Sequence, residues 1–465
     1  MNNSRLLPIS EKPFDGESVV YVMHRDQRVQ DNHALLTAQD TAIEHNVPLY
    51  VLFIMGHIQT RSREHYQFML DGLEEVSENL KKKNIAFVLK NGPGVETITQ
   101  FVNEVSAGAV YFDFSPLNEL RDRIKAVAAA IEIPVSVIDT HNIVPVWALS
   151  DKQEFAAHTV RRKIHKNLDT YLVSPPKLKT HPIEPSNVES LSFSDAHKII
   201  QSYTPSGIKI SYTPGESAAH AQLQTFFERD LKQYGYARNN ISVDGQSGLS
   251  PYLHFGHISS LRIAIEITAY VNEPPLLLQS FKLVQSGDTP SAIDGMNVLL
   301  EEMIVRKELA DNYCFYNKDY TSIKGAPAWA QKTLATHAHD PRDFEYSKDQ
   351  WERCETHDEI WNAAQLELNK TGKMHGYLRM YWAKKLLEWS KSPEEAIAIG
   401  NYLNDKFSTD GGDPNGYVGI LWSIAGLHDR PWFERPVYGV VRYMNAGGLR
   451  RKFDVDAYIQ RVNDM

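Results

Sequence analysis

The hydrophobic period of this sequence changes once, near Pro214. Before that point short apolar runs stand at Ser18–Met23, Pro48–Met55, Ile85–Leu89, Ala109–Phe112 and Pro134–Ile138, separated by amphipathic stretches such as Arg63–Lys83 and Val95–Val105. Buried strands alternating with helices predict a doubly wound parallel sheet. After Pro214 the strand signal ends. Segments of helical period follow at Glu216–Tyr234, Ser260–Val271, Ile293–Cys314, Glu359–Asn369, Lys373–Ser390 and Pro393–Phe407, which predicts an all-helical domain. Between the two the pattern loosens, and the Pro-rich SPPKLKTHPIEPSN (Ser174–Asn187) reads as a surface connector. The expected organisation is an α/β domain over 1–173, a linker over 174–213 and a helical domain over 214–465.

Composition excludes a few classes. Cys314 and Cys354 are the only cysteines, too few for a disulfide framework or a four-cysteine zinc site. The N-terminus lacks an apolar signal core, and no apolar run reaches the ~18–20 residues that span a bilayer. A soluble monomer away from membranes is expected, cytoplasmic, or nuclear in a eukaryote. The net charge of -9 argues mildly against nucleic acid. Its distribution matters more, because Asp429–Lys452 carries six basic residues against two acidic ones.

Several segments carry candidate chemistry. GPG at Gly92–Gly94 reads as an ordinary turn, and neither GxGxxG nor a Walker A sequence is present. In SGLSPYLHFG (Ser247–Gly256), Ser250 is expected at a helix N-cap with Pro251 at the first helical position. The hydroxyls of Ser247 and Ser250 and the free amides there could bind an anion or simply cap the helix. In TGKMHGYLRMYWAKKLLEWS (Thr371–Ser390), Trp382 and Trp389 share a helix face, with Trp361 on the preceding helix. Such a stripe is core packing or a chain of redox-active rings. In NDKFSTDGGDPNGYVGILWSIAG (Asn404–Gly426), Asp413-Pro414-Asn415-Gly416 reads as a turn, and Asp410 and Asp413 stand near Asn404 among glycines that allow close approach of a ligand.

Taken in order, LSPYLHFG (Leu249–Gly256), RKELADNYCFYN (Arg306–Asn317), WNAAQLEL (Trp361–Leu368), GKMHGYLRMYWAKKLLEW (Gly372–Trp389) and DGGDPNGYVGILWSI (Asp410–Ile424) resemble the class II cyclobutane pyrimidine dimer photolyases. RDQRVQDN (Arg25–Asn32) and EFAAHTVRRKI (Glu154–Ile164) carry the resemblance into the first domain, so it covers nearly the whole chain. It implies FAD in the helical domain, active when reduced, with Tyr234, Ser247, Leu249 and Ser250 along its phosphates, an Arg379–Asp410 pair near the ring system and Asn404 facing N5. A dimer flipped out of UV-damaged DNA would meet Trp422, Met380 and Glu302, the last expected to be buried and to favour its acid form. Arg238, Arg430, Trp432 and Arg442 would hold the distorted duplex. Trp382, Trp361 and Trp389 would reduce oxidised flavin. An antenna, deazaflavin or folate, is implied for the first domain, with no fingerprint that assigns its contacts.

The implied function is light-driven dimer splitting by electron transfer. The alternatives are a blue-light receptor of the same superfamily, a (6-4) photolyase and a DNA-binding module without flavin. His33, where the family often has tryptophan, and RNNISV (Arg238–Val243), where it often has RNDPTK, depart from the family pattern.

Overall fold

The computed structural model describes residues 3–56, 58, 60–275 and 289–465. Six strands form one sheet: β1 (Leu6–Ser10), β2 (Ser18–Val22), β3 (Leu49–Met55), β4 (Ala86–Asn91), β5 (Ala107–Asp113) and β6 (Val135–Ile138), in the order β1-β6-β5-β2-β3-β4. Strands β2 to β6 pair in parallel, and each corresponds to an apolar run of the sequence. All but the edge strand β4 are largely buried because helices cover both faces. β1 has no such signal. It is a five-residue edge strand containing Pro8, half-buried, and pairs antiparallel with β6.

The strand order reverses between β2 and β5, where an open α/β sheet usually leaves a crevice for a ligand. Here the chain's own His24–Asn32 loop fills it. The Asp113 carboxylate at the end of β5 accepts from the backbone N–H groups of His24, Arg25 and Asp26 and from the Tyr21 hydroxyl. The loop then crosses to the helical half, where Arg25 makes a two-pronged pair with Asp311 at 3.0 and 3.2 Å. Gly256 makes room for it: φ is +70° there, and a Cβ would lie 2.3 Å from the Arg25 carbonyl oxygen. Both groups of the Arg25–Asp311 pair are almost wholly buried, so losing either partner would strand a charge, at a cost of ~3–5 kcal/mol.

The stretch after Tyr171 lies along the sheet domain. His181 donates its backbone N–H to Lys83, Leu191 donates to Leu89, and a helix forms at Phe193–Ile200 with Ser192 as its cap. Lys209 then bonds to Lys370 in the helical half.

In the helical half, Ser260–Val271 and Pro393–Phe407 fall where the periodicity places them. Three expectations need correction. Glu216–Tyr234 divides at Asp230 into helices Glu216–Arg229 and Leu231–Ala237. Ile293–Cys314 is not one regular helix: Ala292–Leu300 and Lys307–Tyr316 flank a π-helical segment at Glu301–Arg306. Asp413-Pro414-Asn415-Gly416 is not an isolated turn, because Asp413 caps a helix over Pro414–Ala425 with proline at its start. One apolar cluster runs from a face of the sheet through Leu231 and Tyr234 to Leu309, and a second fills the C-terminal helices around Trp351 and Trp361. No described helix is long and apolar enough to cross a membrane.

Candidate active site

Arg379, on the Gly376–Trp389 helix, gathers one side of the site. Its guanidinium donates to Asn404 Oδ1 at 2.9 Å and to Ser408 Oγ at 2.7 Å, and lies 3.4 Å from Asp410 Oδ1. Asn404, near the end of the Pro393–Phe407 helix, donates its amide to Asp405 at 3.1 Å. Both faces of that amide are therefore committed, and its orientation is fixed. Gly416 leaves the space it needs, since a Cβ there would come 2.7 Å from Asn404 Nδ2. Burial alone would raise the Asp410 carboxyl, but the Arg379 charge and a hydrogen bond from Ser408 outweigh it and hold it below the usual range. Asp413 behaves likewise. Burial opposes its charge, but its bond with His254 (3.4 Å) and Arg25 (3.7 Å) hold it well below the ordinary value.

Tyr234, Ser247, Leu249 and Ser250 line the same cleft from another side. Ser250 is the first residue of a five-residue helix and not its cap; the cap is Leu249, whose side chain makes no capping bond. Ser250 lies close enough to Asp410 to help hold that carboxyl low. Tyr234 is buried, which pushes its phenol up to about 12, and it donates to Glu302 Oε2 at 2.7 Å. Glu302 does not have the burial expected of it. Its side chain is 38% exposed and pairs with Arg238. The physical reason is its place: Glu302 lines the open cleft beside Arg238, while Glu301, on the same wall, turns to Arg161 (2.6 Å) and is buried.

The cleft encloses about 950 Å³ and adjoins a smaller lobe of about 190 Å³. Met380, Trp422, Arg379 and Asn404 line both, and Trp382 lines the lobe. The remaining candidates for DNA contact lie outside this wall. Arg430 is exposed, Trp432 is 39% exposed, and the Arg442 guanidinium stacks over the Trp432 ring at 4.5 Å. Buried Lys384 ties this segment to the cleft by donating to the carbonyl oxygens of Ser423, beside Trp422, and of Arg442.

Trp382, Trp361 and Trp389 belong to one aromatic cluster, together with a residue that the sequence reading missed. Trp382 stacks on Trp361 at 6.4 Å, Trp361 meets Trp351 edge-on at 4.6 Å, and Trp351 stacks on Trp389 at 6.1 Å. Trp351 is fully buried on the short helix Lys348–Glu352, which has no periodicity to mark it. Tyr346 and the exposed His357 continue the series outward, joined at 2.6 Å between the phenol and Nδ1.

The family profile for DNA photolyase matches residues 19–184. Over 453 residues the chain is 43% identical to the deoxyribodipyrimidine photo-lyase of Potorous tridactylus, covering 96% of this chain and 81% of that protein. The chain belongs to the DNA photolyase family. The deoxyribodipyrimidine photo-lyase of Methanothermobacter thermautotrophicus is 36% identical over 98% of this chain and 96% of its own. Together with the ordered motifs of the helical half, these place the protein in the class II branch. A cryptochrome from Synechocystis shares the fold at a TM-score of 0.73 and 17% identity, over 96% of this chain and 88% of its own. The cleft fits the FAD of a photolyase. It has the volume of a ligand site, hydroxyl and cationic groups (Ser247, Ser250, Lys373) suited to phosphates, and a fixed amide with a charge pair suited to a heteroaromatic ring. Arg238 Nε is buried without a partner among the described residues, a donor left for a ligand.

Proposed function

We propose that this protein repairs cyclobutane pyrimidine dimers in UV-damaged DNA by light-driven electron transfer, and that the described cleft holds both cofactor and lesion. One observation carries the reading: a single cleft is lined by Tyr234, Ser247 and Ser250, by Arg379, Asn404 and Asp410, and by Glu302, Met380 and Trp422. When bound, reduced FAD supplies the light-excited electron that opens the dimer. Ser247, Leu249 and Ser250 would hold its phosphate region. Asn404 would offer a neutral amide that Arg379 and Asp405 keep in one orientation.

Trp422 and Met380 would pack on a flipped-out dimer, and Glu302 would address its polar edge. For that, Glu302 must give up Arg238 and take up a proton, since only its acid form can donate to a pyrimidine carbonyl, and this frees Arg238 for the strand. Arg442, already stacked on Trp432, would enter the space vacated in the duplex, and Trp432 and Arg430 would hold the distorted strand. Trp382, Trp361 and Trp389, with Trp351 between them, would carry electrons from the surface to the site. They serve activation of the protein and not the repair step.

Two histidines bear on the (6-4) reading. His375 accepts the backbone N–H of Tyr377, and His254 is engaged with Asp413, so both have structural partners. The deciding experiment is an absorption spectrum of the purified protein, repeated with a dimer-containing oligonucleotide under reducing conditions and blue light. Flavin bands with light-dependent recovery of pyrimidine absorbance are expected. Flavin bands without recovery would favour a photoreceptor or (6-4) activity, and a protein that takes up no flavin would overturn the reading.

A further inference from the structure

Phe155 is 73% exposed, among the most exposed large apolar side chains described. A single apolar residue in water needs no explanation. This one has a backbone fixed on both sides. Before it, the N–H of Glu154 donates to Asn312 at 2.8 Å, and the Glu154 carboxylate takes the Ser150 hydroxyl and Lys163. At the residue itself, the Phe155 carbonyl oxygen accepts from His428 Nδ1 at 2.7 Å. His428 stands two residues before Arg430 and four before Trp432. The ring is thus held out into solvent by a rigid mount, which costs little further entropy when it packs on a partner.

The helix that follows, Ala157–Tyr171, holds four basic residues against one acidic in a chain of net charge -9. Its buried residues are Ala157, Val160, Ile164, Leu168 and Tyr171. Arg162 and Lys166, four apart, are exposed. Arg161 turns the other way, lines the cleft and pairs with Glu301, the neighbour of Glu302. The helix therefore joins the lesion cleft to an outward cationic face, with Phe155 at its start and the Arg430–Arg442 segment bonded alongside.

We infer that Phe155, Arg162 and Lys166 form a second contact surface for the damaged duplex: Phe155 packs on a base or sugar beside the flipped site, and Arg162 and Lys166 meet phosphates of the same strand. The occupant is DNA because the patch is cationic and continuous with the cleft. The inference rests on the proposed repair function. It extends the duplex footprint to a surface provided by the residues before Tyr171, outside the helical half.

The test measures equilibrium binding of the flavin-loaded protein to a dimer-containing duplex across a salt series, for the wild type, Phe155→Ala and Arg162→Ala/Lys166→Ala. Flavin content and Tm serve as folding controls. Phe155→Ala should weaken binding by at least about fivefold, the low end for loss of an aromatic contact with a base. Arg162→Ala/Lys166→Ala should lower the slope of log affinity against log salt by about 2, close to one unit for each phosphate contact. If Phe155→Ala loses flavin or thermal stability, the doubly substituted protein decides, since both its sites are exposed. Wild-type affinity with an unchanged salt slope in the variants would overturn the second surface alone. A wild type that does not distinguish damaged from undamaged duplex would overturn the repair reading beneath it.

Discussion

Trp382 and Trp361 stack with ring centroids 6.4 Å apart and planes within 8° of parallel, and the Trp361 indole N–H donates to the Trp382 carbonyl oxygen. The stack begins at the lobe of the cleft and continues through Trp351 to Trp389. Trp361→Phe should abolish light-driven reduction of the oxidised protein, followed as bleaching of its flavin absorption, while protein reduced chemically still repairs. Trp351→Phe should slow the same bleaching. Truncating either ring to alanine would confuse the outcome, because emptying such a site costs ~3–5 kcal/mol of stability.

Glu302→Gln removes the ion pair with Arg238 but keeps an acceptor for the Tyr234 hydroxyl. The pair is more than one-third exposed on the Glu302 side, so the stability change should stay within ~0–1 kcal/mol. Lesion binding should persist, and the yield of repaired dimers per absorbed photon should fall. An unchanged yield in a single-turnover flash experiment would remove Glu302 from the reaction.

Gly416→Ala tests the fixed amide. The new methyl would press on Asn404 Nδ2, and overpacking of this kind costs ~1–3 kcal/mol. If Asn404 yields, its bonds to Arg379 and Asp405 break together. Flavin retention and repair yield should then drop with only a modest fall in Tm.

Glu308 gives a pH dependence. Burial pushes its carboxyl up to about 8, although Lys307 and the Ile143 N–H oppose the shift. In the unfolded chain the group ionises near ~4.3. The folded protein therefore binds the proton more tightly across the interval between these values. The stabilisation is fully present below about pH 4 and is lost as pH rises towards 8, at up to ~1.4 kcal/mol per pH unit. Other groups titrate in this range, so the comparison is with Glu308→Gln. The variant should gain on the wild type in denaturant midpoint between about pH 5 and pH 8.

The parallel strands were legible because β2, β3, β5 and β6 are largely buried on both faces and read as apolar runs, and the edge strand β4 keeps an apolar start. β1 was not, because pairing with β6 alone keeps four half-buried residues and the exposed Pro8 in a strand. The helices at Ser260 and Pro393 carry their own caps, Ser259 and Ser392, and so announced themselves. DPNG misled because aspartate followed by proline serves equally as a turn or as a helix start, and packing of Pro414–Ala425 in the core decides between them. In the site, the resemblance pointed to residue types, but only the fold brings Arg379, Asn404, Ser408 and Asp410 around one guanidinium. Trp351 was invisible because nothing in DQWERC distinguishes a bridging ring from an isolated one. The burial expected of Glu302 failed because apolar spacing marks the face of a helix but not the open cleft that this residue lines.

The wide turn at Glu301–Arg306 makes chain length itself a constraint. The wide turn already holds one residue more than an α turn, and a further residue would rotate all that follows by about 100°. Lys307, Glu308 and Asp311 would then leave His141, Ile143 and Arg25, their partners across the boundary between the halves. Substitutions in this stretch can be absorbed one at a time, but an insertion would unfasten the two halves at once. The stretch between Leu300 and Lys307 should accordingly vary in spelling and not grow in number.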